Sequence, residues 1–508
     1  MGQLSGLRVG DLAYMAPELA LVISAILLSI LDLFMPAKQK RTILGWLTVL
    51  ALAVSAALVI PRLGTDAPIS LLNQSYRLDD FANLIKLVLL TGTGLVVFMS
   101  LGSVDREEIL HEGEFYYLFL PAVLGGMIMA SSADLITLYV GLETLSITTY
   151  IMVGIRKKHH LANEGAFKYL IQGGISSAVI LYGMSFLYGM TGTTNLLEIR
   201  TALDSTAVAE SFGRILYLSF FLLLAGFGFK VAAAPFHTWA PDAYQGAATP
   251  VTAFLAVVSK AAAFAVTFRV LIYVYYDLLA GSTSMPLGHD AFMAVSGLAA
   301  AAMIIGNTAA LRQSDLKRLM AYSGIANAGY LLVPIATGYS MVHHSTFEEM
   351  LFYLVAYLFM NIGAFAMIML VERSSGGTAV KGLAGLYYRA PWSAAAMVLI
   401  ILSLAGIPVT GGFFGKIFIM FGAVANHQYW LAAVMILTSV ISFYYYFGLA
   451  RQMFMRRDEE ETVLRPAVPL VITLWLCAAA GVLMGFFPHL LMEGISQIFS
   501  FTTDFWSA

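Results

Sequence analysis

Apolar runs long enough to cross a bilayer follow one another along almost the whole chain, with connections of about 20 residues at most. The lipid interior offers no partner to a backbone N–H or C=O, so such runs must be helices or strands of a closed barrel. Windows of about 20 residues point to helices, because a membrane-crossing strand needs only about 9–11. This reading yields about fourteen spans, at roughly 15–35, 42–61, 79–101, 115–131, 134–155, 165–190, 213–239, 250–278, 290–310, 318–338, 347–372, 391–424, 429–450 and 467–490. The chain is 59% hydrophobic and 11% charged, where a soluble domain carries about 25% charge. The expected fold class is an all-α integral membrane protein. No soluble domain fits between the spans, so redox chemistry, nucleotide hydrolysis or a large recognition module would sit on another chain.

The formal net charge is −2 and no basic run is present, which argues against a nucleic-acid partner. Cys477 is the single cysteine. It can form neither an intrachain disulfide nor an iron–sulfur site, which takes about four cysteines, and it reads as a small buried residue. The first apolar run, Leu19 to Met35, follows Asp11 and Glu18 without a basic flank. It is read as the first span and not as a cleavable signal.

The loops carry an internal check. Every second one is basic, with Lys38, Lys40 and Arg41, then Arg156, Lys157 and Lys158, then Arg312, Lys317 and Arg318, then Arg373, Lys381 and Arg389, then Arg451, Arg456, Arg457 and Arg465. The intervening loops hold only Arg62, Arg77, Arg200 and Arg214. The positive-inside rule makes the basic set cytoplasmic and puts both termini outside.

Two spans are irregular. The seventh contains Gly226, Gly228, Pro235 and Pro241, and the twelfth Gly406, Pro408, Gly411 and Gly412. Broken backbone at membrane depth survives only where protein or water satisfies it. Breaks in oppositely directed helices five apart suggest an inverted repeat, the architecture of many secondary transporters. The expected organisation is 1–112 (helices 1–3), 113–280 (first repeat, helices 4–8), 281–455 (second, inverted repeat, helices 9–13) and 456–508 (helix 14).

Glu143, Lys230, Lys260 and Lys416 each fall inside an apolar run. A charge at the bilayer centre costs on the order of 2.5–3.5 kcal/mol, so four cost roughly 10–14 kcal/mol. Burial favours the neutral form of a lysine, and a nearby carboxylate restores the charged form. A Glu143–Lys230 pair that forms and separates would therefore switch Lys230 between holding and releasing a proton. The alternative is a static ion pair that holds helices together; three lysines against one glutamate do not balance pairwise, which favours titration. Lys168 follows Glu164 by four residues, the spacing of an ordinary helix-surface pair. His237, just past Pro235, is either a relay or an interfacial histidine. Arg269 and Lys86 read as cations that snorkel or line an exit. Asp134 and Asp242 read as caps or solvated span ends, and His159–His160 and His343–His344 as solvated loop pairs.

Several strings carry a resemblance: VGLETLSITTYIMVG around Glu143, EGAFKYL at 164–170, GFGFKVAAAPFHTWAPDAYQGAATPV at 226–251, LAVVSKAAAF around Lys260, DLKRLMAYSGIANAGYLL at 315–332 and LAGIPVTGGFFGKIFIM at 404–420. With them the chain resembles the antiporter-like membrane subunits of proton-pumping NADH–quinone oxidoreductases (respiratory complex I), a family shared with multisubunit cation/proton antiporters. Lysine at position 416 and an end shortly after helix 14 make it most similar to the subunit N group. The resemblance implies that Glu143 is the helix-5 glutamate paired with Lys230 on helix 7. It makes Lys260 the central lysine and Lys416 the helix-12 lysine that passes the proton on. Glu164 and Lys168 match charged positions near the helix-6 start that the resemblance links to proton entry. It further implies no cofactor on this chain, with NADH, flavin, iron–sulfur clusters and quinone on partner subunits. Other complex I membrane subunits would be its partners and the bacterial cytoplasmic membrane its location. A subunit of a cation/proton antiporter and a scaffold with static charges are the competing readings.

Overall fold

The computed structural model describes residues 9–36, 39–64, 67–104, 108–203, 206–275, 287–337, 345–455 and 466–506. Lys38, Arg456, Arg457, Arg465 and the His343–His344 pair lie outside them. Among the described residues, thirteen helices are long and apolar enough to cross a membrane. They are α1 (Ala16–Phe34), α2 (Thr42–Arg62), α3 (Asp80–Ser100), α4 (Glu112–Ser131), α5 (Leu135–Val153), α6 (His160–Thr191), α7 (Ser211–Lys230), α8 (Thr249–Val274), α9 (Leu287–Ala310), α10 (Leu316–Ala336), α11 (Thr346–Ser375), α13 (Tyr429–Phe454) and α14 (Val468–Phe486). In place of a continuous twelfth span there are two shorter apolar helices, Pro391–Ala405 and Gly411–Ala425, here together α12. Gly406 between them sits at φ +81°, a conformation open to glycine without steric cost. One strand pair that hydropathy does not signal, β1 (Ile69–Leu71) with antiparallel β2 (Tyr76–Leu78), lies in the loop before α3.

Helices α8, α10 and α11 are buried along nearly their whole length, whereas α1, α6 and α13 leave apolar side chains such as Ile23, Phe167 and Tyr444 exposed. The second group has the surface lipid would cover, and the first forms the interior. Two helix hairpins pack at close range. A Cβ on Gly125 of α4 would stand 2.5 Å from the Leu145 backbone nitrogen on α5, and one on Gly306 of α9 would stand 2.4 Å from that of Ala326 on α10. Close backbone approach through small residues is how membrane helices associate without a hydrophobic driving force.

The same backbone stitch occurs twice. Leu135 donates to Thr194 and Leu196 to Ala133, both at 2.9 Å, tying the start of α5 to the chain after α6. Leu316 donates to Thr378 at 2.7 Å and Val380 to Ser314 at 2.9 Å, tying the start of α10 to the chain after α11. Each stitched helix is capped by an aspartate: Asp134 accepts from the Thr137 N–H at 2.6 Å and Asp315 from the Arg318 N–H at 2.9 Å. Asp134 is thus the cap its position suggests.

Arg269 and Lys86 do not snorkel; both are buried in ion pairs. Arg269 of α8 donates to both carboxylate oxygens of Asp79 at 2.8 Å, and Lys86 of α3 lies 2.8 Å from Glu18 of α1 and from Tyr76 Oη. Their partners are remote in the chain, so spacing within one helix could not reveal them.

Candidate functional site

The interior charges occupy a succession of helices. Glu143 lies mid-way along α5, with Oε1 buried and without a hydrogen-bond partner. Lys230 is the last residue of α7. Its Nζ donates to Ser146 Oγ at 2.8 Å and to Ser177 Oγ at 3.3 Å. No ion pair within 4.0 Å joins Glu143 to Lys230 among the described residues; Ser146, three residues beyond Glu143, takes the ammonium instead. After Lys230 the chain leaves the helix, with Ala232 at φ +57°, and resumes as a short helix at Trp239–Gly246. At the break the Phe229 carbonyl accepts from the Ala232 N–H at 3.0 Å and from Trp239 Nε1 at 3.1 Å, so it is satisfied as a buried backbone group must be.

A cavity of about 10 Å³, lined by Lys230, Ser146, Tyr169, Ser259 and neighbouring apolar groups, connects the break to α8. That is about the least space a water molecule occupies. Ser259 precedes Lys260, where α8 changes from a π-helical turn (Leu255–Ser259) to α-helix. Such π segments recur at functional sites because they re-aim a side chain. Lys260 is 3% exposed. Its Nζ donates to the Gly324 carbonyl of α10 at 2.7 Å and lies 5.8 Å from the Tyr357 ring centre.

From Gly324 a polar stripe climbs α10 through Ser323, Asn327 and Tyr330, positions i, i+4 and i+7 of one helical face. Asn327 Nδ2 donates to the Ser323 carbonyl at 2.8 Å, and its Oδ1 accepts from Tyr353 Oη. Ser323 and Tyr446 share a hydrogen bond at 2.5 Å, and Tyr330 Oη lies 3.1 Å from Thr438 Oγ1. Lys416 Nζ sits 5.1 Å from the Tyr330 ring centre. It donates to the carbonyls of Leu404 and Ala405 at 3.2 and 3.4 Å, the last residues of the first half of α12. A helix C-terminus carries partial negative charge and suits a cation. Sequence reasoning passed over Ser323, Asn327 and Tyr330, although a polar stripe at helical spacing on an otherwise apolar span is a readable signal.

His237 sits edge-on to Tyr322 at 6.4 Å between ring centres, and its Nδ1 is buried without a partner. Among the described residues it makes no side-chain hydrogen bond to the lysine series. Glu164 and Lys168 do pair, at 2.6 Å, but as part of a wider network. Lys168 also reaches Asp242 at 2.7 Å, and Arg318 reaches the other oxygen of Asp242 at 2.5 Å. Asp242 is therefore a junction between α6 and α10, not a solvated span end. Burial pushes its carboxyl up, but the hydrogen bonds from Lys168 and Arg318 outweigh that and hold it below the usual carboxylate range.

At the end bearing the basic loops, a cavity of about 550 Å³ opens among residues that include Glu108, Arg156, His159, Thr249, Lys317 and Glu372. Lys317 is 1% exposed, bonds Glu372 at 3.0 Å and donates to the Ala247 carbonyl at 3.1 Å. Arg156 reaches Glu108 at 2.6 Å. His159 is not a freely solvated loop residue: it lines this cavity, and burial followed by the Arg156 charge pushes its imidazole below its ordinary value.

Comparison with known proteins adds a family to this geometry. Residues 132–442 match the family described as NADH:quinone oxidoreductase/Mrp antiporter, transmembrane. The chain is 50% identical to the NADH-quinone oxidoreductase subunit N of Paenibacillus sp. (strain JDR-2), over 97% of each chain. It matches a chain of respiratory complex I from Thermus thermophilus with a TM-score of 0.78 at 30% identity, covering 95% of this chain and 100% of that one. A chain of the Mrp complex from Dietzia sp. DQ12-45-1b matches with a TM-score of 0.81 at 18% identity, covering 96% of each, a likeness of fold. The chain therefore belongs to the NADH-quinone oxidoreductase subunit N family of antiporter-like, multi-pass membrane proteins.

Proposed function

We propose that this chain is a proton-translocating, non-redox subunit of a membrane-bound NADH–quinone oxidoreductase. The observation that carries the reading is the run of titratable and hydroxyl side chains from Lys230 through Lys260 and the α10 stripe to Lys416, with its middle part on the deeply buried helices α8 and α10. Glu143 keeps an unused acceptor oxygen one turn from Ser146. Its approach to Lys230 would favour the charged lysine, and its withdrawal would release a proton towards the small cavity beside Ser259. Lys260, bound among the described residues to a neutral carbonyl and an aromatic face, takes the proton next. The hydroxyl and amide groups of α10 hand it to Lys416, whose charge the carbonyls ending the first half of α12 stabilise.

The repeat at 113–280 and 281–455 is part of this reading. It is supported by the paired backbone stitches and by the two glycine hairpins. In that register Asp134 answers to Asp315, so Glu143 answers to Gly324 and Ser146 to Asn327. The strings GFGFK and GFFGK bring Lys230 opposite Lys416.

The basic loops face the cytoplasm and both termini lie outside, in the cytoplasmic membrane of a bacterium. The cavity around Lys317 and Glu372, with the Glu164–Lys168–Asp242 network, admits water from the cytoplasmic side, and His237, in the chain between Lys230 and Asp242, serves as a relay. NADH, flavin, iron–sulfur clusters and quinone belong to partner subunits, and the driving energy arrives through neighbouring membrane subunits. Vesicles containing the assembled complex test this reading: Lys230→Ala or Glu143→Ala should impair proton pumping while the complex still assembles. Unchanged quinone-linked pumping in both variants would return the charges to a static role. The cation/proton antiporter reading is separated by partners, since co-purification with iron–sulfur and quinone-binding subunits excludes it.

A further inference from the structure

Glu349 is a buried carboxylate that the path described above does not use. It lies in the first turn of α11, is 7% exposed, and its Oε2 is buried with no hydrogen-bond partner. The first-turn position does not explain it, because the helix start is already closed by a capping box between Ser345 and Glu348. Its carboxylate lies against α12: a Cβ added to Gly422 would stand 2.7 Å from Glu349 Oε2. One turn along α11, Tyr353 lies over Gly415, the residue before Lys416, where an added Cβ would stand 2.4 Å from its ring. Gly422 is six residues past Lys416, about 9 Å along the axis at 1.5 Å per residue.

The repeat register shows what a carboxylate there would do. Lys230 has Glu143 one turn from its serine partner, whereas the position answering to Glu143 in the proposed register is Gly324, which carries no charge and contacts Lys260, so Lys416 has no carboxylate from that position. We infer that Glu349 is the carboxylate of the second half: it accepts the proton from Lys416 through intervening water and passes it to the outer aqueous phase. The step moves one proton from the Lys416 ammonium to the Glu349 carboxylate, leaving a neutral amine and a neutral acid; loss of that proton to water resets the acid. Its direction follows from the orientation proposed above, in which α11 starts and α12 ends at the outer face. The inference rests on the proton-translocation reading.

The test compares Glu349→Gln, Glu349→Asp and Lys416→Ala in vesicles holding the assembled complex, with proton pumping and quinone reduction followed together. Glu349→Gln should reduce protons moved per quinone to the level of Lys416→Ala, and Glu349→Asp should recover part of the loss. Normal pumping in Glu349→Gln beside impaired pumping in Lys416→Ala would overturn the role of Glu349 and leave the wider reading intact. Normal pumping in both would remove the wider reading with it. Should Glu349→Gln fail to assemble, Gly422→Ala displaces the carboxylate without removing it; impaired pumping is expected, and unchanged pumping would overturn the inference.

Discussion

Lys260 of α8 donates from Nζ to the carbonyl oxygen of Gly324 on α10 at 2.7 Å, 64 residues further along the chain. A carbonyl already used by its own helix is a weak partner for a buried ammonium. The contact suits a group that must take up and lose a proton better than an ion pair would, because a close carboxylate would hold the charge in place.

Gly324 leaves little room around that contact. A Cβ there would stand 3.1 Å from Lys260 Nζ and 3.1 Å from Tyr357 Oη. Gly324→Ala should shift the lysine by a fraction of an ångström. A 1 Å misplacement can cost about 100-fold in rate, so a loss of about tenfold is expected. Pumping by vesicles carrying normal amounts of complex checks it, and a rate within twofold of the parent would show that the position of Lys260 is not critical.

Ser146 accepts from Lys230 at 2.8 Å. A hydrogen bond to a charged group contributes about 1.5–3 kcal/mol. Ser146→Ala should therefore slow proton transfer by about tenfold or more, whereas Ser146→Thr, which keeps the hydroxyl, should stay close to the parent. Equal effects from the two variants would point to packing as the cause.

The Arg269–Asp79 contact is expected to matter for stability and not for transport. Both side chains are nearly inaccessible, at 4% and 1% exposure. Asp79→Ala leaves a buried guanidinium without its partner, a loss of about 3–5 kcal/mol. Thermal denaturation of the purified complex should show a lower midpoint in Asp79→Ala, with part of the loss restored by adding Arg269→Met. Reduced pumping at unchanged stability would contradict this division.

Asp242 makes a pH prediction with a defined sign. Its carboxyl is held below the usual range in the folded protein. The tie between α6 and α10 is thus fully present above the ordinary carboxylate value of about 3.9 and is lost as pH falls below it. Protection of the backbone amides near the start of α10, taken relative to intrinsic exchange at each pH, should fall on acidification below about pH 4. Asp242→Asn should already exchange faster at pH 7 and respond less to acid; identical profiles in the two proteins would deny Asp242 this role.

What the amino-acid order determined alone is what the solvent imposes locally. Lipid cannot satisfy a bare backbone, so the apolar windows read directly as helices, and the Gly and Pro clusters near 226–241 and 406–412 fall where α7 ends and α12 parts. Charges are rare inside such windows, so Glu143, Lys230, Lys260 and Lys416 stood out without any structure. Partnership was decided only by packing, because a side chain's neighbours in a helical bundle come from other helices at sequence separations that no periodicity encodes. Tertiary structure put Ser146 and not Glu143 on Lys230, gave Lys416 the carbonyls of Leu404 and Ala405, paired Arg269 with Asp79 and Lys86 with Glu18, and made Asp242 a junction. It also left Glu349 against Gly422 with an unsatisfied oxygen. In the sequence that residue is one of two adjacent acids at the start of a span; the Ser345–Glu348 spacing marks the one that caps, and only the contact between α11 and α12 shows what the other faces.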